Sequence, residues 1–369
     1  MSRAREIADL GSPAASGLSN RNLIINGSCA IAQRGTSSTT SGKATVDRFG
    51  CGYSQGSITQ SQQSLSSSDA PYAEGLRKSF RATVSTASSN AGAYLQLEQP
   101  IEAQNIAQSG WEYTNSNSSL TFSFWAKSSL AGTYYIQFRT IDGTSYYYNK
   151  SFTLAASTWK KITCTVAGNS NLTINNDNGE GFRVLVVPDY GTTYTGDAEA
   201  VTDAWYTRTQ TDGYFPNFAQ DWHNTASATF EITGVQLEVG DGPATPFEHE
   251  DIGTTLRKCQ RYYVRQTAAA AFSMWGAGFI YTTQQAKINI AFPVEMRDVP
   301  SLGQSANNTL DLFTGGGTPA FTQDADINNP STWATNVTVY CGSGLTAGQG
   351  AVIMANNSVG AYLEFKAEL

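Results

Sequence analysis

Histidine is almost absent from this chain, with two in 369 residues, at 223 in DWHN and at 249 in FEHED. A Ser/His/Asp triad would have to use one of them. Nucleophilic hydrolysis thus has little to draw on, and no enzymatic activity is expected. Charge is scarce too: Asp, Glu, Lys and Arg make up 14% of the residues, the net charge is −7, and no basic stretch offsets it. Little is therefore available to neutralise a phosphate backbone, which argues against a nucleic-acid partner. The cysteines, at 29, 51, 164, 259 and 341, lie far apart, without CxxC or a Cys/His cluster of metal-ligand spacing. Such isolated thiols among apolar strands read as small core residues in a reduced compartment. Long apolar runs are missing as well. The longest, Ala268 to Tyr281, is broken by Ser273, Gly276 and Gly278, and the N-terminus has no apolar core of the signal-peptide kind, so membrane insertion is not expected.

What is plentiful is Gly, Ser, Thr, Asn and Tyr, a mixture suited to sheets and turns. The dominant period is two. Leu120, Phe122 and Phe124 alternate with Thr121, Ser123 and Trp125; Tyr134, Ile136 and Phe138 alternate with Tyr135, Gln137 and Arg139; Phe182, Val184 and Val186 face away from Arg183. Turn pairs at Ala131-Gly132, Asp142-Gly143, Asn178-Gly179 and Asp212-Gly213 separate these strands, with Asn178-Gly179 read as a hairpin turn. Gly234 marks a bulge within Phe230 to Val239. Residues 3–10 place Ala4, Ile7, Ala8 and Leu10 on one face of a short helix, and 11–20 follow as a Ser/Ala/Gly linker. Around 256–263 the period turns helical through Leu256, Cys259 and Tyr263. Strands then resume, with loops at Gly315 to Gly317 and at Gln323 to Ser331.

The expected fold is all-β. It comprises an N-terminal helix and linker over 1–20, a jelly-roll sandwich over 21–252, a helical connector over 253–263 and a smaller β-sandwich tip over 264–369.

Two stretches bracket the first sandwich: RNLIINGSCAIAQRG at 21–35 with DRF at 47–49, and GDGPATPFEHED at 240–251 running into LRKCQRYY at 256–263. In combination they resemble virion proteins of tailed bacteriophages, in which similar lines open and close a jelly-roll module like a carbohydrate-binding module. With FPVEMRDVP at 292–300 the resemblance covers roughly 21–300, and it departs at Glu250, where a basic residue is more usual. It implies a virion location after assembly in the bacterial host cytoplasm, and a tail fibre that attaches to the host by cell-surface glycan. By analogy with fibres it implies a homotrimer whose residues 1–20, through Ala4, Ile7 and Leu10, dock on tail, baseplate or adaptor proteins. A capsid decoration or head fibre is the alternative, and a glycan-cleaving tailspike the second.

Sugars offer apolar faces that stack on aromatic rings and hydroxyls that pair with amides and carboxylates. The segment 205–222 has the densest supply of both, so Trp205, Tyr206, Tyr214 and Trp222 are the candidate platforms, with Asn217, Gln220 and Asp221 as polar partners. The stretch 272–281 and Trp333 with Tyr340 compete for the same role. Asp197, Glu199 and Asp203 are the carboxylates a glycosidase would need, and they read as solvated loop charges. No cofactor is expected. NNDNGEG at 175–181 fails the calcium-loop pattern because Ile174 falls at the first ligand position, and a structural calcium between the jelly-roll strands stays open without named ligands.

Overall fold

In the computed structural model, residues 20–369 are described, so the expected anchoring positions Ala4, Ile7 and Leu10 lie outside the described residues. The chain divides into two compact units at Ile252/Gly253. Both are built of antiparallel strands.

The first unit contains β1 (Ser37–Ser38), β2 (Gly50–Ser54), β3 (Ser57–Ser64), β4 (Lys78–Thr86), β5 (Tyr94–Glu102) and β6 (Ser119–Ser128). It continues with β7 (Gly132–Thr140), β8 (Tyr147–Leu154), β9 (Lys160–Ala167), β10 (Glu180–Tyr190), β11 (Trp205–Tyr206) and β12 (Thr229–Val239). Two six-stranded sheets result, β1-β3-β4-β12-β6-β9 and β11-β8-β7-β10-β5-β2. Consecutive strands β6 and β7 fall in opposite sheets, as do β9 and β10. Ala131-Gly132 is therefore a crossover, and Asn178-Gly179 is not the hairpin turn the dipeptide suggested. It ends a connection pinned locally, with Asp177 Oδ1 accepting from Gly179 N at 2.9 Å and Asp142 accepting from Asn175.

The inward sets are the ones the alternation marks. Leu120, Phe122 and Phe124 from one sheet meet Tyr134, Ile136, Phe138 and Phe182 from the other in a single core. Phe122 packs edge-on against Phe138 at 5.6 Å between centroids. Burying each such ring contributes about 1.5–3 kcal/mol. All five cysteines are buried thiols, and burial pushes Cys29 and Cys164 up to about 12. At Gly234 the β12/β6 register shifts between Thr233 and Gln236; its φ of +60°, and a Leu76 methyl 2.7 Å from where a Cβ would stand, explain why glycine occupies the bulge.

The two bracketing motifs meet and close this unit. Asn22 donates its side-chain amide to Val235 O and accepts from Ile24 N and Leu237 N, while Glu248 accepts from the backbone of Asn20 and Asn22. Arg21 pairs with Glu238 at 3.4 Å. Further along, Asn26 bonds to the backbone of Ile31 and Asp47, and the Asp47 carboxylate accepts from the backbone and side chain of Gln33. Buried Arg48 reaches Pro100 O at 2.8 Å. These polar residues sit where they do because buried backbone groups need partners at the seam.

In the second unit, α1 (Ile252–Gln260) buries Thr255 and Cys259. Tyr263, expected on this helix, instead opens a strand. The strands are β13 (Tyr263–Thr267), β14 (Met274–Ile280), β15 (Gln285–Ala291), β16 (Ser301–Gln304), β17 (Leu310–Thr314), β18 (Asp326–Asn328), β19 (Ala334–Tyr340), β20 (Gly350–Ala355) and β21 (Tyr362–Lys366). They form a three-stranded sheet, β13-β21-β16, and a six-stranded one, β17-β20-β14-β15-β19-β18, around a core that includes Ile288, Leu312, Val337, Ile353 and Phe365. The expected loop at Gln323 to Ser331 contains β18.

Candidate functional site

The second sheet of the first unit has an outer face of unusual composition. Residues pointing away from the main core, Tyr135 on β7 with Leu185 and Val187 on β10, are themselves buried, because Tyr190 and Phe215 pack on them in a separate small core with Phe218 alongside. The covering residues come largely from 191–228, a long segment whose only strand is β11. Long segments of this kind order themselves only by burying side chains of their own.

Across this covered face runs a belt of tyrosines. Ring centroids step from Tyr94 to Tyr190 (5.2 Å), Tyr190 to Tyr194 (5.7 Å), Tyr194 to Tyr214 (6.1 Å), Tyr214 to Tyr147 (5.9 Å) and Tyr147 to Tyr206 (5.7 Å). The Arg208 guanidinium lies 3.7 Å over the Tyr214 ring and donates to Tyr214 Oη at 2.8 Å, while Arg139 lies 5.0 Å over Tyr147. Beneath the rings, Arg139 donates to Gln137, Gln137 to Asn149, and Asn149 to the Tyr206 hydroxyl, which in turn donates to Tyr214 O. Burial raises the Tyr206 and Tyr190 hydroxyls far above the usual phenol range, so both are neutral donors. The network fixes the rings in one arrangement, and Tyr94, Tyr194, Tyr206 and Tyr214 stay partly exposed.

Beside Tyr190 and Thr195 the same segment borders a cleft of about 440 Å³ lined by Asn90, Asp189, Asn217, Gln220, Asp221 and His223. Gln220 is fixed by donating to Thr133 O and accepting from Thr133 N. Asp189 Oδ2 accepts the His223 backbone N–H at 2.8 Å. Desolvation drives the Asp189 carboxyl up to about 6, the neighbouring Asp221 charge adds to this, and backbone donors oppose it. His223 is buried, bonds through Nε2 to Gln55 O at 2.6 Å and is held below the usual imidazole range by burial, so it is a neutral packing residue. The exposed His249 bonds to Glu74 O at 2.7 Å and packs edge-on against Phe247.

The residues singled out over 205–222 thus separate. Tyr206 and Tyr214 belong to the belt; Asn217, Gln220 and Asp221 border the cleft. Trp205 is half-buried, with Nε1 donating to Ala167 O at 2.7 Å and its ring against Tyr148. Trp222 is wholly buried in the main core and offers no platform. The reason is its neighbour: the Asp189–His223 bond draws the chain inward at this point. The acids of the loop are pins, since Glu199 accepts from the backbone of Thr209 and Gln210, Asp197 from Glu199 N, and Asp203 pairs with Lys150. The belt residues that sequence reasoning missed, Tyr94, Tyr147, Tyr190, Tyr194, Arg139 and Arg208, come from β5, β7, β8, the end of β10 and the covering segment. Among the described residues no group of three or more His, Cys, Asp or Glu is arranged to hold a metal. No helix among them is long and apolar enough to cross a membrane.

No protein-family model matches the sequence, and no curated protein matches it. Among solved structures, the chain is similar to the enzymatically active domain of tailspike protein 4 from bacteriophage CBA120, at 11% identity and a TM-score of 0.32, over 60% of this chain and 22% of that one. It is also similar to the N-terminal cellulose-binding domain of Cellulomonas fimi β-1,4-glucanase C (10% identity, TM-score 0.30, 58% of this chain and 100% of that one). A third is the family 11 carbohydrate-binding module from Clostridium thermocellum in complex with a mixed-linked tetrasaccharide (12%, 0.27, 58% and 98%). The chain spans about a fifth of the tailspike structure it matches.

Proposed function

We propose that the chain is an attachment protein of a tailed-bacteriophage virion, a homotrimeric tail fibre that holds host-surface glycan on the tyrosine belt without cleaving it. The belt carries the proposal: six rings in centroid steps of 5.2 to 6.1 Å, of which Tyr94, Tyr194, Tyr206 and Tyr214 are partly exposed and Tyr147 and Tyr190 buried between them, with two guanidiniums over them and amides beneath. Such a surface gives stacking faces and hydroxyl partners along a length suited to a chain of sugar rings. The buried amide network holds it ready, so little ordering is needed on binding. The virion setting rests on the resemblance of the two closing motifs, with residues 1–20 joining the fibre to tail, baseplate or adaptor proteins.

The test is adsorption of purified protein to host cells and to their extracted polysaccharide. Each exposed ring at a binding surface contributes on the order of 1–2 kcal/mol. The pair Tyr194→Ala and Arg208→Ala should then weaken adsorption at least tenfold with the melting temperature nearly kept. Unchanged adsorption rejects the belt, released reducing ends would establish the tailspike instead, and labelling on the capsid would establish the head fibre.

A further inference from the structure

The cations around the belt are of two kinds. Lys150 on β8 pairs with Asp203, and Arg183 on β10 meets Glu98 at 3.0 Å and Glu180 at 2.5 Å. Arg139 on β7 and Arg208 in the covering segment, both half-buried, form no ion pair with any described residue. Arg139 donates to Gln137 Oε1 at 2.7 Å, and Arg208 to Gln210 O and Tyr214 Oη, each at 2.8 Å. A guanidinium carries five N–H donors, so most are left over, and the Nε–H of each is buried without a partner. Glu199 lies close enough to Arg208 to feel its charge, but its carboxylate is taken up by the Thr209 hydroxyl and the backbone of Thr209 and Gln210.

These two guanidiniums converge on one place. Arg139 lies 5.0 Å from the Tyr147 ring centre and 5.6 Å from that of Tyr214; Arg208 lies 3.7 Å from Tyr214 and 5.8 Å from Tyr147. Both therefore address the middle of the belt, where the two rings stand 5.9 Å apart. Like charges gathered in a half-dry setting repel more strongly than in water, and the ring faces offset only part of this. Acids are not in short supply, since the chain holds 30 Asp and Glu against 23 Lys and Arg. At this spot none is supplied.

We infer that the belt selects an acidic polysaccharide, whose sugar-borne carboxylate or phosphate is held by Arg139 and Arg208 while neighbouring sugar rings lie on Tyr194 and Tyr214. The planar guanidinium fork matches either anion, and two forks at one place hold it from two directions. An uncharged polysaccharide would stack on the same rings but leave both cations unpaired, and a cationic one would be repelled by them. The inference rests on the glycan reading of the belt and adds to it the charge of the sugar.

The test offers the full chain extracted host polysaccharide in three forms: native, carboxyl-reduced with carbodiimide and borohydride, and dephosphorylated with hydrofluoric acid. The wild type should bind at least one treated form tenfold or more weakly than the native one, and which of them fails tells carboxylate from phosphate. Arg139→Gln with Arg208→Gln should erase that preference, whereas Arg208→Lys, which keeps the charge, should retain most of it. The comparison of polysaccharides on the wild type involves no variant, so misfolding cannot produce its outcome, and thermal melting checks the variants. A wild type that binds all three forms alike, yet loses adsorption in Tyr194→Ala, overturns this inference and leaves the belt standing. A folded double variant that keeps the preference also overturns it. Adsorption indifferent to Tyr194→Ala and to both arginine replacements rejects the belt itself, and the inference with it.

Discussion

Replacing Trp222 by Ala should damage the fold and not the binding surface directly. The indole is wholly buried among the residues between the two sheets of the first unit, and truncating a buried tryptophan to alanine costs about 3–5 kcal/mol in lost contacts and cavity. In a domain of this size each kcal/mol shifts the melting temperature by about 2–4 °C, so the first unit should melt about 10 °C lower. Trp222 Nε1 has no hydrogen-bond partner, so Trp222→Phe forfeits no bond and should recover more than half of the loss. Calorimetry of wild type, Trp222→Ala and Trp222→Phe, with adsorption measured well below every transition, compares the three. If Trp222→Ala melts within about 2 °C of wild type but adsorbs poorly, the ring is a contact residue after all, and the burial on which its exclusion from the belt rests is wrong.

Two further outcomes follow from the seam and the cleft. Glu248→Ala removes the acceptor for the backbone N–H groups of Asn20 and Asn22 and should destabilise the first unit by about 2 kcal/mol in urea titration, without affecting glycan adsorption; an unaltered midpoint would mean the motifs do not clasp. Asp189 has its carboxyl raised from 3.8 to about 6 in the fold, so protonation favours the folded state. Its contribution is fully present below about pH 4 and is lost as the pH rises through 6, a change on the order of 2–3 kcal/mol that Asp189→Asn should abolish; an identical pH slope in the variant would contradict it.

How much could be read in advance depended on whether a signal was local. Strand alternation at Phe122, Tyr134, Phe138 and Phe182 named the core because a half-buried strand writes its inner face at every second residue. Gly234 was legible for the same reason, a glycine interrupting that period. Turn dipeptides carried less: Asn178-Gly179 fits a hairpin in isolation, but whether the next strand pairs with its predecessor or crosses to the other sheet is decided by distant partners. Trp222 failed similarly, since DWHN looks like polar loop, and only the buried bond from His223 N to Asp189, 34 residues away, turns it inward.

The belt was the least legible feature, and the physical cause is general to covered sheets. Tyr94, Tyr147 and Arg139 occupy outward positions of strands, where a sequence assigns polar or amphipathic residues to solvent and attaches no meaning to them. They become a surface only when 191–228 lies across β7 and β10 and brings Tyr194, Arg208 and Tyr214 alongside. That segment can hold its position because Phe215 is buried against Tyr135 and Tyr190, and because Gln220 grips Thr133 from both sides. The residues that position the belt therefore differ in part from those that form it: Phe215 and Gln220 bury a ring and satisfy backbone groups, the buried Tyr190 does both jobs, and Tyr94, Tyr194, Tyr206 and Tyr214 stay partly open. Composition within 205–222 gave Tyr206 and Tyr214, which form the belt, together with Gln220 and Trp222, which position it, and nothing in the linear order separates the two kinds.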